Sequence, residues 1–97
     1  MRFENKVIII TGASQGLGVG YAREFLKEGA KVVLVARRAE KLDHTAEQLA
    51  SELQLSDAGR RVLPVACDVS DEQQVKSMMK RVMDAFGTVD VLINNAA

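Results

Sequence analysis

The sequence predicts a three-layer, doubly wound parallel α/β sheet. Three observations carry that expectation. Four short runs, "VIII", "VVLV", "VLPVA" and "VLI", are nearly continuous apolar β-formers. Strands covered on both faces of a parallel sheet look like this, whereas half-exposed strands alternate. Stretches with helical periodicity separate the runs, and a glycine-rich turn, "TGASQGLG" at 11–18, joins the first run to the first helical stretch.

The elements follow in order. Strands are expected over Lys6–Thr11, Lys31–Ala36, Arg61–Ala66 and Val89–Asn94. In the first helix Leu17, Tyr21, Phe25 and Leu26 recur at helical spacing, which makes them core residues, and Gly29 stands where a left-handed cap ends it. The second helix carries the stripe Leu42, Ala46, Leu49 and Leu53, followed by a turn over Asp57–Gly59. The third opens with "SDEQ", a capping box in which Ser70 caps the helix and Gln73 reaches back. Its stripe is Val75, Met79, Val82 and Phe86, Gly87 closes it, and the Met78, Met79 and Met83 group reads as core. Right-handed crossovers then permit the strand order 3-2-1-4 with three helices. Pro64 checks that order: proline is tolerated at a sheet edge, and in 3-2-1-4 the third strand is an edge.

Composition bounds the function. The chain has 97 residues, one domain at most, with 47% hydrophobic and 27% charged residues. Thirteen basic residues balance thirteen acidic ones, so no net field draws nucleic acid or an anionic membrane. No apolar run approaches a bilayer span, and the start "MRFENKV" lacks a signal-peptide core. A single cysteine, Cys67, excludes a disulfide framework and a thiolate zinc cluster, so a cytoplasmic setting and no metal site are expected. His44 stands alone on a charged helix and reads as solvated, and Cys67 reads as a small buried residue at a strand end.

The glycines define the expected site. A helix that starts directly behind a strand offers free N–H donors and the positive end of its dipole, which suits a diphosphate. Gly12 allows the turn, Gly16 lets the diphosphate approach the backbone, and Gly18 lets helix and strand pack closely. Ser14, Gln15 and Leu17 complete the cradle, and Gly20 is expected to be a packing glycine. A mononucleotide P-loop needs Gly-Lys-Ser/Thr, but Val19 follows Gly18. A methyltransferase-like site wants an acid at the end of the second strand, where this chain has Ala36-Arg37-Arg38. That strand end faces the adenosine ribose in such a fold, so Arg37, helped by Arg38, favours the 2′-phosphate of NADP(H) over NAD(H). The alternative is that the two arginines simply solvate a helix start, and Gln15 adds no charge to the phosphate reading.

With those residues in hand, the chain resembles the N-terminal part of the short-chain dehydrogenase/reductase family. Three motifs carry the resemblance over all 97 residues: "TGASQGLG" at 11–18, "DV" at 68–69 and "NNAA" at 94–97, where the family ends in glycine rather than Ala97. It implies an incomplete Rossmann-like domain over 1–97 and hydride transfer between NADP(H) and a carbonyl or alcohol. It implies that Asp68 caps the adenine amino group with Val69 beside it, and that Asn95 and Ala96 line the adenosine ribose. It further implies that Asn94 ties the central strands and Thr11 braces the glycine turn. The family's catalytic serine and Tyr-x-x-x-Lys pair follow the Asn-Asn-Ala-Gly segment. The sole tyrosine, Tyr21, has Phe25 four residues on, so no catalytic residue is assigned and the chain alone is expected to be inactive. The resemblance also implies a homo-oligomeric full-length parent, and the fourth strand is expected to be an exposed apolar edge through which the chain self-associates. A nucleotide-binding module without chemistry, or an inactive truncated product, are the other readings.

Overall fold

In the computed structural model, which describes residues 3–95, the chain alternates strands and helices from end to end. The strands are β1 (Val7–Thr11), β2 (Lys31–Ala36), β3 (Val62–Ala66) and β4 (Val91–Ile93). The helices are α1 (Leu17–Lys27), α2 (Ala39–Glu52), a single turn α3 (Ala58–Arg61) and α4 (Glu72–Phe86). All strand pairs are parallel and their order is β3-β2-β1-β4. Ile9 lies between Val33 on one side and Leu92 on the other, and Pro64 pairs with Leu34 on the outer strand β3. The proline therefore stands at an edge, where its missing N–H leaves no ladder bond unmade.

Successive side chains on a strand point to opposite faces, and both faces of the two central strands are covered. Ile8, Ile10, Val32 and Leu34 pack with Ala22 and Leu26 of α1 and with Leu42 and Leu49 of α2. Val7, Ile9, Val33 and Val35 pack with Val65, Cys67 and, from α4, Met78 and Val82. Fully burying an aliphatic side chain of this size contributes about 1.5–3 kcal/mol, so β1 and β2 form a rigid platform for the turn that follows β1. No helix among the described residues is long and apolar enough to cross a membrane.

Several details depart from the sequence reading. A fourth helix, α3, occupies the expected turn at 57–59, held by Arg60 N–H on the Asp57 carbonyl at 2.8 Å. Arg61 explains its position: the guanidinium donates to the carbonyls of Leu26 (2.6 Å) and Ala30 (3.0 Å), pinning this turn to the end of α1. The cap of α4 is Asp71, not Ser70. Asp71 accepts from the Gln73 and Gln74 amides, while Ser70 is drawn away onto the Asp68 carboxylate.

Leu17 and Tyr21 are exposed rather than core, because α1 turns its small residues Gly18 and Ala22 toward the sheet. Met83 is exposed as well, with Met78 and Val82 taking the buried face of α4. β4 is shorter than expected, pairing with β1 over three residues only, and the Asp90 carboxylate accepts the Val7 N–H below it. Val91 and Ile93 pack against the α1–α2 side, whereas Leu92, on the α4 side, is 62% exposed.

Candidate functional site

α1 and α2 cover one face of the sheet and α4 the other. The crossovers part between β1 and β4, so a crevice opens beyond the carboxyl ends of those strands, the place where such sheets bind ligands. The glycine turn forms one wall. Gly12 and Gly16 have φ of +64° and +63°, backbone angles that L side chains rarely adopt. Ala13 N–H bonds the Val35 carbonyl at 3.1 Å, and the Thr45 hydroxyl donates to the Ser14 carbonyl at 3.3 Å. The turn is thereby fixed to β2 and α2.

The glycines at the start of α1 face different surroundings. A Cβ added to Gly16 would meet nothing within 4 Å. One added to Gly18 would stand 2.5 Å from the Gly12 carbonyl oxygen and 2.9 Å from the Asn95 amide nitrogen. Gly18 is thus a true close-packing glycine, while Gly16 borders open space. Gly20 also has open space around its missing Cβ, which corrects the expectation that packing requires it. Gly16 is the N-cap of α1 and no side chain caps the helix. Its leading amides, which have no partner within the helix, therefore point out of the turn.

The second wall is the segment after β4. Asn95 N–H donates to the Thr11 hydroxyl at 2.9 Å, and that hydroxyl donates to the Asn94 side-chain oxygen at 3.1 Å. The Asn95 side-chain amide reaches the Gly12 carbonyl at 3.4 Å. Thr11, Asn94 and Asn95 thus lock the ends of β1 and β4 together against the glycine turn. Ala96, expected beside them, lies outside the described residues.

Beyond β2 and β3 stand the remaining candidates. Cys67 is buried, and burial, with Asp68 and Asp71 nearby, pushes its thiol above its ordinary value, so it stays a neutral packing residue. Asp68 accepts both the Ser70 hydroxyl (2.7 Å) and the Ser70 N–H (3.0 Å) on Oδ1. These two bonds hold its carboxyl below the usual range, with the nearby Arg37 charge adding to them. Asp68 is therefore an ionised acceptor at neutral pH, with Val69 exposed next to it. Arg37 and Arg38 are exposed at the end of β2, and Arg38 is the N-cap residue of α2.

A cavity of about 580 Å³ adjoins the glycine turn between α1 and α2, within the range of small-molecule sites. Ser14, Gln15 and Gly16 line it, but so do Lys41, His44 and Thr45 of α2, which the sequence reading left out of the site. Thr45 carried a signal: it is a polar residue on the buried stripe between Leu42 and Leu49. Lys41 and His44 carried none, since both read as ordinary solvated helix positions.

The family profile described as short chain dehydrogenase matches residues 6–97. Meso-2,3-butanediol dehydrogenase of Serratia marcescens is 44% identical over 99% of this chain and 35% of its own length. Human 15-hydroxyprostaglandin dehydrogenase [NAD(+)] is 38% identical over the same shares. The crystal structure of L-sorbose reductase from Gluconobacter frateurii, complexed with NADPH and L-sorbose, superposes with a TM-score of 0.87 at 40% identity. That match covers 98% of this chain and 34% of the reductase, so the chain spans about a third of the length of these relatives. Two left-handed glycines beneath a bare helix start, clamped to the end of β4 through Thr11 and Asn95, and a profile match from Lys6 to the last residue lead to one conclusion: the chain belongs to the short-chain dehydrogenase family.

Proposed function

We propose that this chain is the cofactor-binding part of an oxidoreductase that moves hydride between NADP(H) and a carbonyl or alcohol. The observation that carries the reading is the contrast at the start of α1. Gly16 leaves room for a ligand where Gly18 leaves none, and no side chain caps the donors between them. A dinucleotide fits this set. Gly12, Ser14, Gln15, Gly16, Leu17 and Gly18 would cradle the diphosphate, and Asp68, with Oδ1 occupied by Ser70, would accept the adenine amino group beside Val69. Asn95 and Ala96 would border the adenosine ribose. The cofactor supplies the hydride; these residues bind and orient it.

Arg37, with Arg38, supports NADP(H) over NAD(H). The relatives do not decide between them, since one is an NAD(+) dehydrogenase and another is complexed with NADPH. Residues 1–97 would form a single dinucleotide-binding unit, with the groups that polarise the substrate carbonyl supplied from outside this stretch. Calorimetric titration of the folded chain with NADP+ and NAD+ tests the proposal. NADP+ is expected to bind more tightly, and Arg37→Asp to lower its advantage about 10- to 100-fold, the worth of a charge-assisted hydrogen bond. Absence of heat with either cofactor on a cooperatively folded sample overturns it.

A further inference from the structure

Ser70 stands where the sequence expects the cap of α4, yet α4 does not use it, because Asp71 accepts the Gln73 and Gln74 amides. The Ser70 hydroxyl instead donates to Asp68 Oδ1 at 2.7 Å, and the Ser70 N–H reaches the same oxygen at 3.0 Å. Other groups hold the backbone of Asp68. Its N–H donates to the Gln74 side-chain oxygen at 2.8 Å, and its carbonyl accepts the Asp71 N–H at 2.9 Å. The carboxylate, by contrast, takes hydrogen bonds from Ser70 alone among the described residues. A carboxylate offers about four lone-pair sites, two on each oxygen. Both sites on Oδ1 are filled, and Oδ2 accepts nothing among the described residues. One donor would let the carboxylate plane swing about Oδ1, and two converging donors fix it. A hydroxyl that the helix does not need thus orients the one oxygen left for a ligand.

We infer that Ser70 is a positioning residue for base selection: by filling Oδ1 it aims Asp68 Oδ2 at the 6-amino group of adenine, against a purine that carries an oxo group there. The inference rests on the assignment of Asp68 to the adenine amino group under the proposed function. It makes selectivity for the base depend on a side chain that acts only through another. An amino group donates and a purine carbonyl oxygen only accepts, so a fixed anionic acceptor attracts the first and repels the second. The same two bonds hold the Asp68 carboxyl below the usual carboxylate range, which keeps it ionised for this use.

The test compares the dissociation constants of the chain for NADP+ and for nicotinamide hypoxanthine dinucleotide phosphate, which has an oxo group in place of the adenine amino group. A merely structural role would move both constants together. The unaltered chain is expected to prefer NADP+ by about tenfold or more, the scale of one charge-assisted contact, and Asp68→Ala to abolish that preference. Ser70→Ala should cut the preference about fivefold through NADP+ alone, with the hypoxanthine analogue held within about twofold. Ser70→Thr, which keeps the hydroxyl, should restore most of it. If Ser70→Ala leaves the preference intact while Asp68→Ala removes it, this inference falls and the assignment of Asp68 stands. Equal weakening of both ligands by Ser70→Ala also sinks the inference. If Asp68→Ala leaves the preference unchanged, the assignment of Asp68 falls and takes the inference with it. If the unaltered chain binds neither dinucleotide, the inference and the proposed function fall together.

Discussion

α1 and α4 both leave the carboxyl edge of the same sheet, yet their first turns are built in opposite ways. At α4 the Asp71 carboxylate accepts from Gln73 N–H at 3.0 Å and from Gln74 N–H at 3.3 Å. The Gln74 side chain returns to Asp71 and also accepts the Asp68 N–H, so the start of that helix is closed by its own residues. At α1 the cap position is Gly16, with no side chain to offer. A side-chain cap contributes about 1 kcal/mol, which α1 forgoes. One geometry is thus built in two ways: α4 closes its terminal donors with its own side chains, and α1 leaves them uncapped, which the proposed function assigns to an anion.

The sharpest way to break that contrast is Gly16→Val. The Cβ enters open space, but a branched side chain at φ +63° and ψ −135°, backbone angles that glycine tolerates far better than any branched residue, adds strain of about 1–3 kcal/mol. The same side chain would occupy the approach to the bare amides. NADP+ affinity is expected to fall by about 100-fold or more, as preorganised donors become inaccessible, while the chain still melts cooperatively. Calorimetry with a parallel thermal melt reads both quantities. Retained affinity would show that the bare start of α1 is not where the anion sits.

Gly18→Ala should fail for the opposite reason. Its Cβ would lie 2.5 Å from the Gly12 carbonyl oxygen and 2.9 Å from the Ala13 Cα, both backbone atoms that cannot swing aside. Overpacking of this kind costs about 1–3 kcal/mol, and this contact is at the severe end. A denaturant titration should show the midpoint falling clearly below that of the unaltered chain. An unchanged midpoint would mean that the turn and α1 are less tightly apposed than 2.5 Å implies.

How far the sequence foretold this molecule depends on whether a feature is local. The central strands were legible because both faces are covered, so Ile8, Ile9 and Ile10 could follow one another without a polar break. Pro64 placed β3 at the edge for an equally local reason, its missing donor. What the sequence hid depends on contacts between distant segments. Nothing near Arg61 announces that its guanidinium will hold carbonyls at Leu26 and Ala30, so the sequence shows only a turn where α3 forms. Ser70 and Asp71 are both good caps, and the choice fell to Asp71 once Asp68 engaged Ser70. Helical spacing marked Leu17 and Tyr21 as a stripe, but the sheet selected the smaller neighbours Gly18 and Ala22 for close approach. The cavity at Lys41 and His44 arises from the packing of α1 against α2, which no periodicity within either helix encodes.

Asp71→Ala sharpens the comparison from the α4 side. Loss of its bonds to two backbone amides is expected to lower stability by about 1 kcal/mol, measured by denaturant titration. Cofactor affinity should stay within about twofold, because the α4 start is closed on itself. A large affinity loss would mean that the Asp71–Gln74–Asp68 bonds hold the adenine side of the crevice in place, and the two helix starts would then be coupled rather than separate.

The smallest expected effect lies one turn into α1. Gly20 sits inside the helix, where glycine costs about 1 kcal/mol against alanine, and its missing Cβ faces nothing within 4 Å. Gly20→Ala should therefore stabilise the chain by up to about 1 kcal/mol, read as a higher melting midpoint, and leave NADP+ affinity unchanged. Gly16, Gly18 and Gly20 would then separate into a ligand glycine, a packing glycine and one the fold does not require, although they alternate along a single turn. Destabilisation by Gly20→Ala would show that another surface closes over this flank of α1. Weakened cofactor binding at unchanged stability would instead extend the bare start of the helix by a full turn.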